Sequence, residues 1–288
     1  MKTIRVIQSN LKRVITNPAF YACVLLTVIL CFSATIYTDY TQKDYSIYSV
    51  FMEFSREDML WYTDLSSYSA LVHGSGSWLS LFIPILAAFT FIPLLCNERS
   101  SGAMRYLSFR VSKLSFGSGN YISALLVGGL AILCGFIVFA IAVYIMFPNI
   151  SEYSEFDQEI YFQWLSYSYR FFDNFGFPYL VLLKLLEMFI YGMLSVIPAL
   201  LLTSVLRNKY LIICIPFFFV YTISQIVIRF SYDALPPLLI ALFNPSTPSR
   251  IFSSGSYTIW ILVFYTALII CSYLFYIIML NRRVDYGE

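Results

Sequence analysis

Six long apolar runs dominate this chain, and they restrict its fold more than any motif does. They are Pro18–Tyr37, Trp78–Cys96, Tyr121–Phe147, Pro178–Leu206, Leu211–Phe230 and Tyr257–Leu280. At 1.5 Å per residue, a helix of about 20 residues crosses a hydrocarbon core of roughly 30 Å. In that solvent each backbone N–H and C=O must be satisfied within the protein, which favours helices for uncharged runs of this length. Only 12% of the residues are charged, against roughly 25% in a soluble domain. Too few polar side chains exist to face water on all sides. The expected fold is an all-α integral membrane protein with six transmembrane helices, one domain over residues 1–288. The third and fourth runs are longer than a bilayer needs and should tilt or project beyond it.

Residues 1–17 read as an amphipathic helix rather than a cleavable signal, because they are too polar for an apolar signal core. At about 100° per residue, Ile4, Ile7, Leu11, Val14 and Ile15 share one arc. Lys2, Arg5, Lys12 and Arg13 take the other side. This pattern predicts a helix lying in the membrane interface, with its cations toward anionic lipid headgroups. Six spans place both termini on one side. Segments 1–17, 97–120, 207–210 and 281–288 hold twelve Lys/Arg and three Asp/Glu, whereas segments 38–77, 148–177 and 231–256 hold four and twelve. The positive-inside rule then puts both termini and the 97–120 segment in the cytoplasm of a multi-pass cell-membrane protein.

The outer segments 38–77 and 148–177 are acidic and rich in aromatic residues, which suit the bilayer–water boundary. Segment 233–256 contains Leu235–Phe243, an apolar stretch too short to span and bounded by prolines. It predicts a short re-entrant helical pair on the outer side, between the fifth and sixth spans.

Enzyme and metal motifs are missing. The chain has no G-x-x-x-x-G-K-[ST] phosphate loop, one histidine, and six cysteines that fall in or beside apolar runs without a zinc-type spacing. No catalytic residue, metal or resident cofactor is expected, and no nucleic-acid partner. Lys184 and Glu187 are the exception within the spans. Spaced i, i+3, they lie on one helix face and can pair. They either anchor the outer part of the fourth helix or form a polar point beside a translocation path.

The basic segment that follows the second span reads Glu98-Arg99-Ser100-Ser101-Gly102-Ala103-Met104-Arg105-Tyr106-Leu107, then Phe109-Arg110-Val111-Ser112-Lys113. Here the chain resembles the ABC-2 family of exporter permeases. That family carries a pattern like E-x-x-x-G-[TS]-[LM]-x-x-L, then P-V-S-R or similar, then Gly-Lys before the third span. Glu98, Gly102, Met104 and Leu107 match the first part, and Val111, Ser112 and Lys113 the second. Ala103, Arg110 and Gly119-Asn120 depart from it. The order of amphipathic start, six spans and outer re-entrant pair also matches the family.

The resemblance implies a non-catalytic permease subunit of an ATP-driven exporter. Two such subunits, identical or related, would pair, each seated on a separate ATP-binding subunit that carries ATP and Mg. The 97–120 segment would be the coupling element, with Glu98, Arg99, Gly102, Met104, Arg105 and Leu107 at the contact and Arg207 and Lys209 in a second one. An amphipathic cargo, such as a peptide, lipid-like molecule or drug, would pass faces bearing Phe189, Tyr191, Phe217, Phe218 and Tyr221. Two other classes fit the composition: an ATP-independent channel or secondary transporter, and a non-transporting membrane anchor or sensor.

Overall fold

The computed structural model describes residues 2–40, 42–76, 78–102, 106, 110–160, 172–206, 208–230, 236–244, 246–252 and 257–286. The chain opens with α1 (Lys2–Ile15) and α2 (Pro18–Phe32), which meet at 66°. Asn17 sets this bend: its side chain accepts from the Ala19 amide at 3.0 Å, and Pro18 occupies the first helical position. These are N-terminus signals that start a new helix rather than continue the old one.

The first apolar run was expected to stay helical to Tyr37, and it does not. α2 stops at Phe32, and Thr35–Thr38 form strand β1, paired antiparallel with β2 (Asp44–Ser46). Thr35, Ile36 and Thr38 are β-branched, which favours the pleated form where a partner strand is available. With 15 residues, α2 is about 22 Å long and short for a full crossing by itself.

Segment 38–77, expected as an aromatic loop, folds into a small cap. After the hairpin come α3 (Ile47–Glu53), α4 (Arg56–Met59), a 3-10 turn at Thr63–Leu65 and α5 (Ser67–Gly76). Ser55 and Asp58 form a capping box that starts α4. Ile47, Val50, Met59, Leu65, Tyr68 and Leu71 are buried. The rings of Tyr37, Tyr45, Phe54 and Tyr62 cluster at centroid distances of 5.1–6.3 Å. Part of the aromatic content therefore packs inward, against the core that the cap shares with the helices, while Tyr40, Tyr48 and Trp61 stay exposed. Arg56 grips Glu152 across 96 residues, with N–O distances down to 2.8 Å. This pairing, with help from the Asn149 amide, holds the Glu152 carboxyl below its ordinary range.

The membrane-length helices follow: α6 (Trp78–Ser100), α7 (Lys113–Met146), α8 (Phe172–Thr203) and α9 (Lys209–Phe230). After α9 come the short α10 (Pro237–Phe243), a 3-10 turn at Thr247–Arg250, and α11 (Thr258–Tyr286). Among the described residues, α6, α7, α8, α9 and α11 are long and apolar enough to cross a membrane. α7 has 34 residues, about 51 Å, and packs against α1, α2, α5, α6, α8 and α11. Its closest partner is α8. A Cβ on Gly192 would lie 2.6 Å from the Gly128 carbonyl oxygen, and one on Gly129 would lie 2.7 Å from the Phe189 ring. Only hydrogen fits there, so the two backbones touch. This is the close packing by which membrane helices associate when no hydrophobic drive separates them from lipid.

α1 does more than lie in an interface. Its residues Val6, Ile7, Asn10, Leu11 and Val14 turn toward the protein, whereas Ile4 and Ile15 remain exposed. Asn10 donates to the Asn120 side-chain oxygen at 2.8 Å and to Ser123 Oγ at 3.3 Å on α7. The predicted apolar arc is thus divided, one part packed on α7 and one part left outward.

Candidate functional site

Charged side chains meet the helical bundle at two places. The first is the end of α6. Glu98 is 7% exposed and its side chain bonds Arg13 of α1. Arg99, on the next residue, reaches across to α8. Its Nη1 donates to the carbonyls of Thr203 at 2.7 Å and Leu206 at 2.8 Å. Thr203 is the last residue of α8, whose terminal carbonyls lie at the negative end of its dipole, and Leu206 follows in the connection beyond it, so a guanidinium is a fitting cap. One turn of α6 therefore fastens α1 on one side and α8 on the other. α6 ends at Ser100, and two residues on Gly102 has a φ of +71°, the left-handed conformation that glycine adopts without strain.

α7 starts after Ser112, which caps it and also has positive φ, +98°. The connection from 102 to 112 is thus bounded by two positive-φ residues. Tyr106, 81% exposed, and Arg110 face outward within it. Lys209 opens α9 on the exposed surface, with its ammonium over the Tyr210 ring. Met104, Arg105, Leu107 and Arg207 lie outside the described residues.

This geometry separates residues that the sequence had grouped. Glu98 and Arg99 are turned into the protein, while Gly102 and Lys209 sit at its edge. Arg13, read as a lipid-facing cation, is the partner of Glu98. No local signal pairs residues 85 positions apart.

The second place is the Lys184–Glu187 pair on α8. The expected i, i+3 pairing is present, at 3.2 Å, with side-chain exposures of 2% and 0%. What the sequence did not indicate is that both residues hold another segment. Lys184 Nζ donates to the Ser249 carbonyl at 2.6 Å, and Glu187 Oε1 accepts the Phe252 amide at 2.7 Å. The pair thus clasps residues 249–252, just beyond α10.

The aromatic residues expected along a cargo path do not share one face. Tyr191 is buried and donates to the Ser80 carbonyl at 2.8 Å. Phe189 packs at the α7–α8 crossing, and Phe217 stacks on Phe82 at 5.4 Å. Phe218 and Tyr221 are exposed on α9. A separate apolar groove of about 280 Å³ lies between α5, α7 and α8, lined by Leu71, Ile137, Ile141, Val181 and Leu185 among others. Sequence reasoning missed it, because its walls come from three distant segments. All six cysteines are free thiols. Among the described residues, no group of three or more His, Cys, Asp or Glu is placed to hold a metal ion.

No family model matches this chain, and no curated protein matches it. Its class rests on its own architecture: a predominantly helical protein with several membrane-length helices, as a multi-pass membrane protein has.

Proposed function

We propose that this chain is the transmembrane permease subunit of an ATP-driven exporter of the ABC-2 type. It would move an amphipathic cargo outward, energised by a separate ATP-binding subunit docked on residues 97–120. In this reading α2 is the first of six spans, both termini are cytoplasmic, and α10 with the following 3-10 turn forms the outer re-entrant pair. A second permease copy or a related chain completes the pathway.

One observation carries the reading: the end of α6 is fastened to both α1 and α8 by Glu98 and Arg99. A force applied to the 102–112 connection would reach three helices together. That is the mechanical requirement for rigid-body rocking driven by a partner. Glu98 and Arg99 are then transmission residues. Gly102, Tyr106 and Arg110, with Met104, Arg105 and Leu107, form the docking contact. Lys209 and Arg207 form the second one.

The test is co-purification with a candidate ATP-binding subunit. Arg99→Ala should leave ATPase binding in place and reduce cargo-stimulated hydrolysis by about tenfold or more, the scale of a typical coupling energy. Gly102→Val should abolish binding. If neither variant changes either measurement, the coupling reading is wrong. If the purified chain alone accumulates solute under a proton gradient, a secondary transporter replaces it.

A further inference from the structure

The Lys184–Glu187 pair is among the most deeply buried charge in the described residues, yet part of its hydrogen bonding is spent on a segment outside its own helix. We propose that residues 247–252 form a releasable strap at the outer face and that Lys184–Glu187 is the latch that holds it. The inference rests on the proposed topology only for the side on which the strap lies.

Three features of the geometry support release rather than permanent anchoring. First, the two charges sit one turn apart on α8 and pair directly at 3.2 Å. If the strap leaves, each keeps its counter-charge, so the large cost of stranding a single buried ion is avoided. A pair split between helix and strap would lack this property. Second, the bonds from Lys184 and Glu187 to the Ser249 carbonyl and the Phe252 amide are made to backbone groups of the strap. Water can satisfy both after release. Third, the strap is short, with Ile251 buried and its carbonyl accepting from Thr258 Oγ1 as its further ties to the bundle. Its turn is closed by bonds among Asn244, Ser246, Thr247 and Ser249, including Ser249 Oγ to the Ser246 carbonyl at 2.7 Å. It can therefore move as a unit. The Arg250 guanidinium packs beside Gly76 at the end of α5, so the same motion loosens the cap. The apolar groove ends at Val181 and Leu185, the residues that flank Lys184 on α8. Release of the strap would place a polar opening beside an apolar slot, a combination suited to an amphipathic molecule.

Ser249 is 0% exposed, which makes it a reporter of the closed state. The experiment uses the full chain in vesicles, with Ser249→Cys and a membrane-impermeant maleimide, counting only labelling that requires this cysteine. In the otherwise native chain, labelling should be slow. The double swap Lys184→Glu/Glu187→Lys keeps an ion pair on α8 but leaves no donor for the Ser249 carbonyl and no acceptor for the Phe252 amide. It should accelerate labelling by about tenfold or more, as expected when a minor open state becomes the major one. An unchanged rate, or fast labelling in the native chain, would overturn the latch. Acceleration seen only from the cytoplasmic side would uphold the latch and reject the proposed topology.

Should the swapped chain fail to fold, hydrogen exchange on the native chain decides. The Phe252 amide must exchange through an opening that leaves α8 protected. Exchange of strap and α8 together would show that no separate strap motion exists.

Discussion

The two charged anchors of this protein use the same chemical groups to opposite effect. At the end of α6, Glu98 and Arg99 are neighbours in sequence but reach to different helices, one to α1 and one to α8. Neither can keep its partner if those helices separate. On α8, Lys184 and Glu187 pair with each other and bond the strap at its backbone. They keep their partner whatever the strap does. The lesson is that a charge pair shared between elements transmits motion, whereas a pair kept within one element permits it. Exposure divides them too. The Arg13 side chain is 46% exposed, while Lys184 and Glu187 are essentially dry.

The strongest way to break this contrast is Lys184→Met. It removes the ammonium 3.2 Å from the buried Glu187 carboxylate and should destabilise the protein by about 3–5 kcal/mol, read as loss of folded protein in a thermal series in detergent. Adding Glu187→Leu to it should recover most of that loss, since no buried charge remains, while the strap stays unlatched. A double variant as unstable as the single one would mean that the strap contacts, not charge compensation, dominate.

Next is Gly192→Ala. The contrast treats α7 and α8 as one rigid pair that joins both anchors. A Cβ at Gly192 would press on the Gly128 carbonyl oxygen, which is backbone and cannot rotate away. Overpacking of this kind costs about 1–3 kcal/mol. A fall in melting temperature with both anchors loosened, seen by exchange of peptides around 98 and 252, would sharpen the comparison. An unchanged melting temperature would show that the crossing is less tight than described.

Glu98→Gln should cost less, about 1 kcal/mol. The amide can still accept from Arg13, and Arg13 can turn to solvent. The expected signature is faster exchange in α1 with α8 unaffected, because Arg99 still caps Thr203 and Leu206. Loss of protection in α8 as well would show that the two side chains act as one unit.

The smallest effect concerns the cap. Glu152 has its carboxyl held down chiefly by Arg56, from an ordinary value of 4.5. A depressed carboxylate contributes stability above its unfolded value. That contribution is lost as pH falls through the lower folded value. Cap stability should therefore decline only below about pH 4.5, by no more than about 1 kcal/mol for an exposed pair. Arg56→Gln should remove this acid step. An acid step of the same size in the variant would assign it to another carboxylate, such as Asp58, which Ser55 also holds low.

The membrane-length helices were legible because lipid imposes one rule on them: an uncharged run of sufficient length must satisfy its backbone internally. Apolar length was enough to indicate α6, α7, α8, α9 and α11, though α7 and α8 begin several residues before the runs expected for them. The same rule misjudged the first run beyond Phe32, because a β-hairpin also satisfies backbone groups and Thr35, Ile36 and Thr38 prefer it once Asp44–Ser46 lie alongside. The cap was not legible as a fold. Its aromatic residues lack a clear period, and their packing depends on partners up to 91 positions away, as in Tyr153 to the Tyr62 carbonyl.

The candidate residues followed the same division. Local spacing was enough to place Lys184 beside Glu187, since that property belongs to a few consecutive residues. Only the tertiary structure decided what these groups hold. Arg13 and Glu98 lie 85 residues apart, Arg99 and Thr203 lie 104 apart, and Lys184 and Ser249 lie 65 apart. Apolar length and charge placement are properties of the chain itself. The pairing of a guanidinium or ammonium with one carbonyl among hundreds is settled when helices pack, because only burial makes that single hydrogen bond worth more than water.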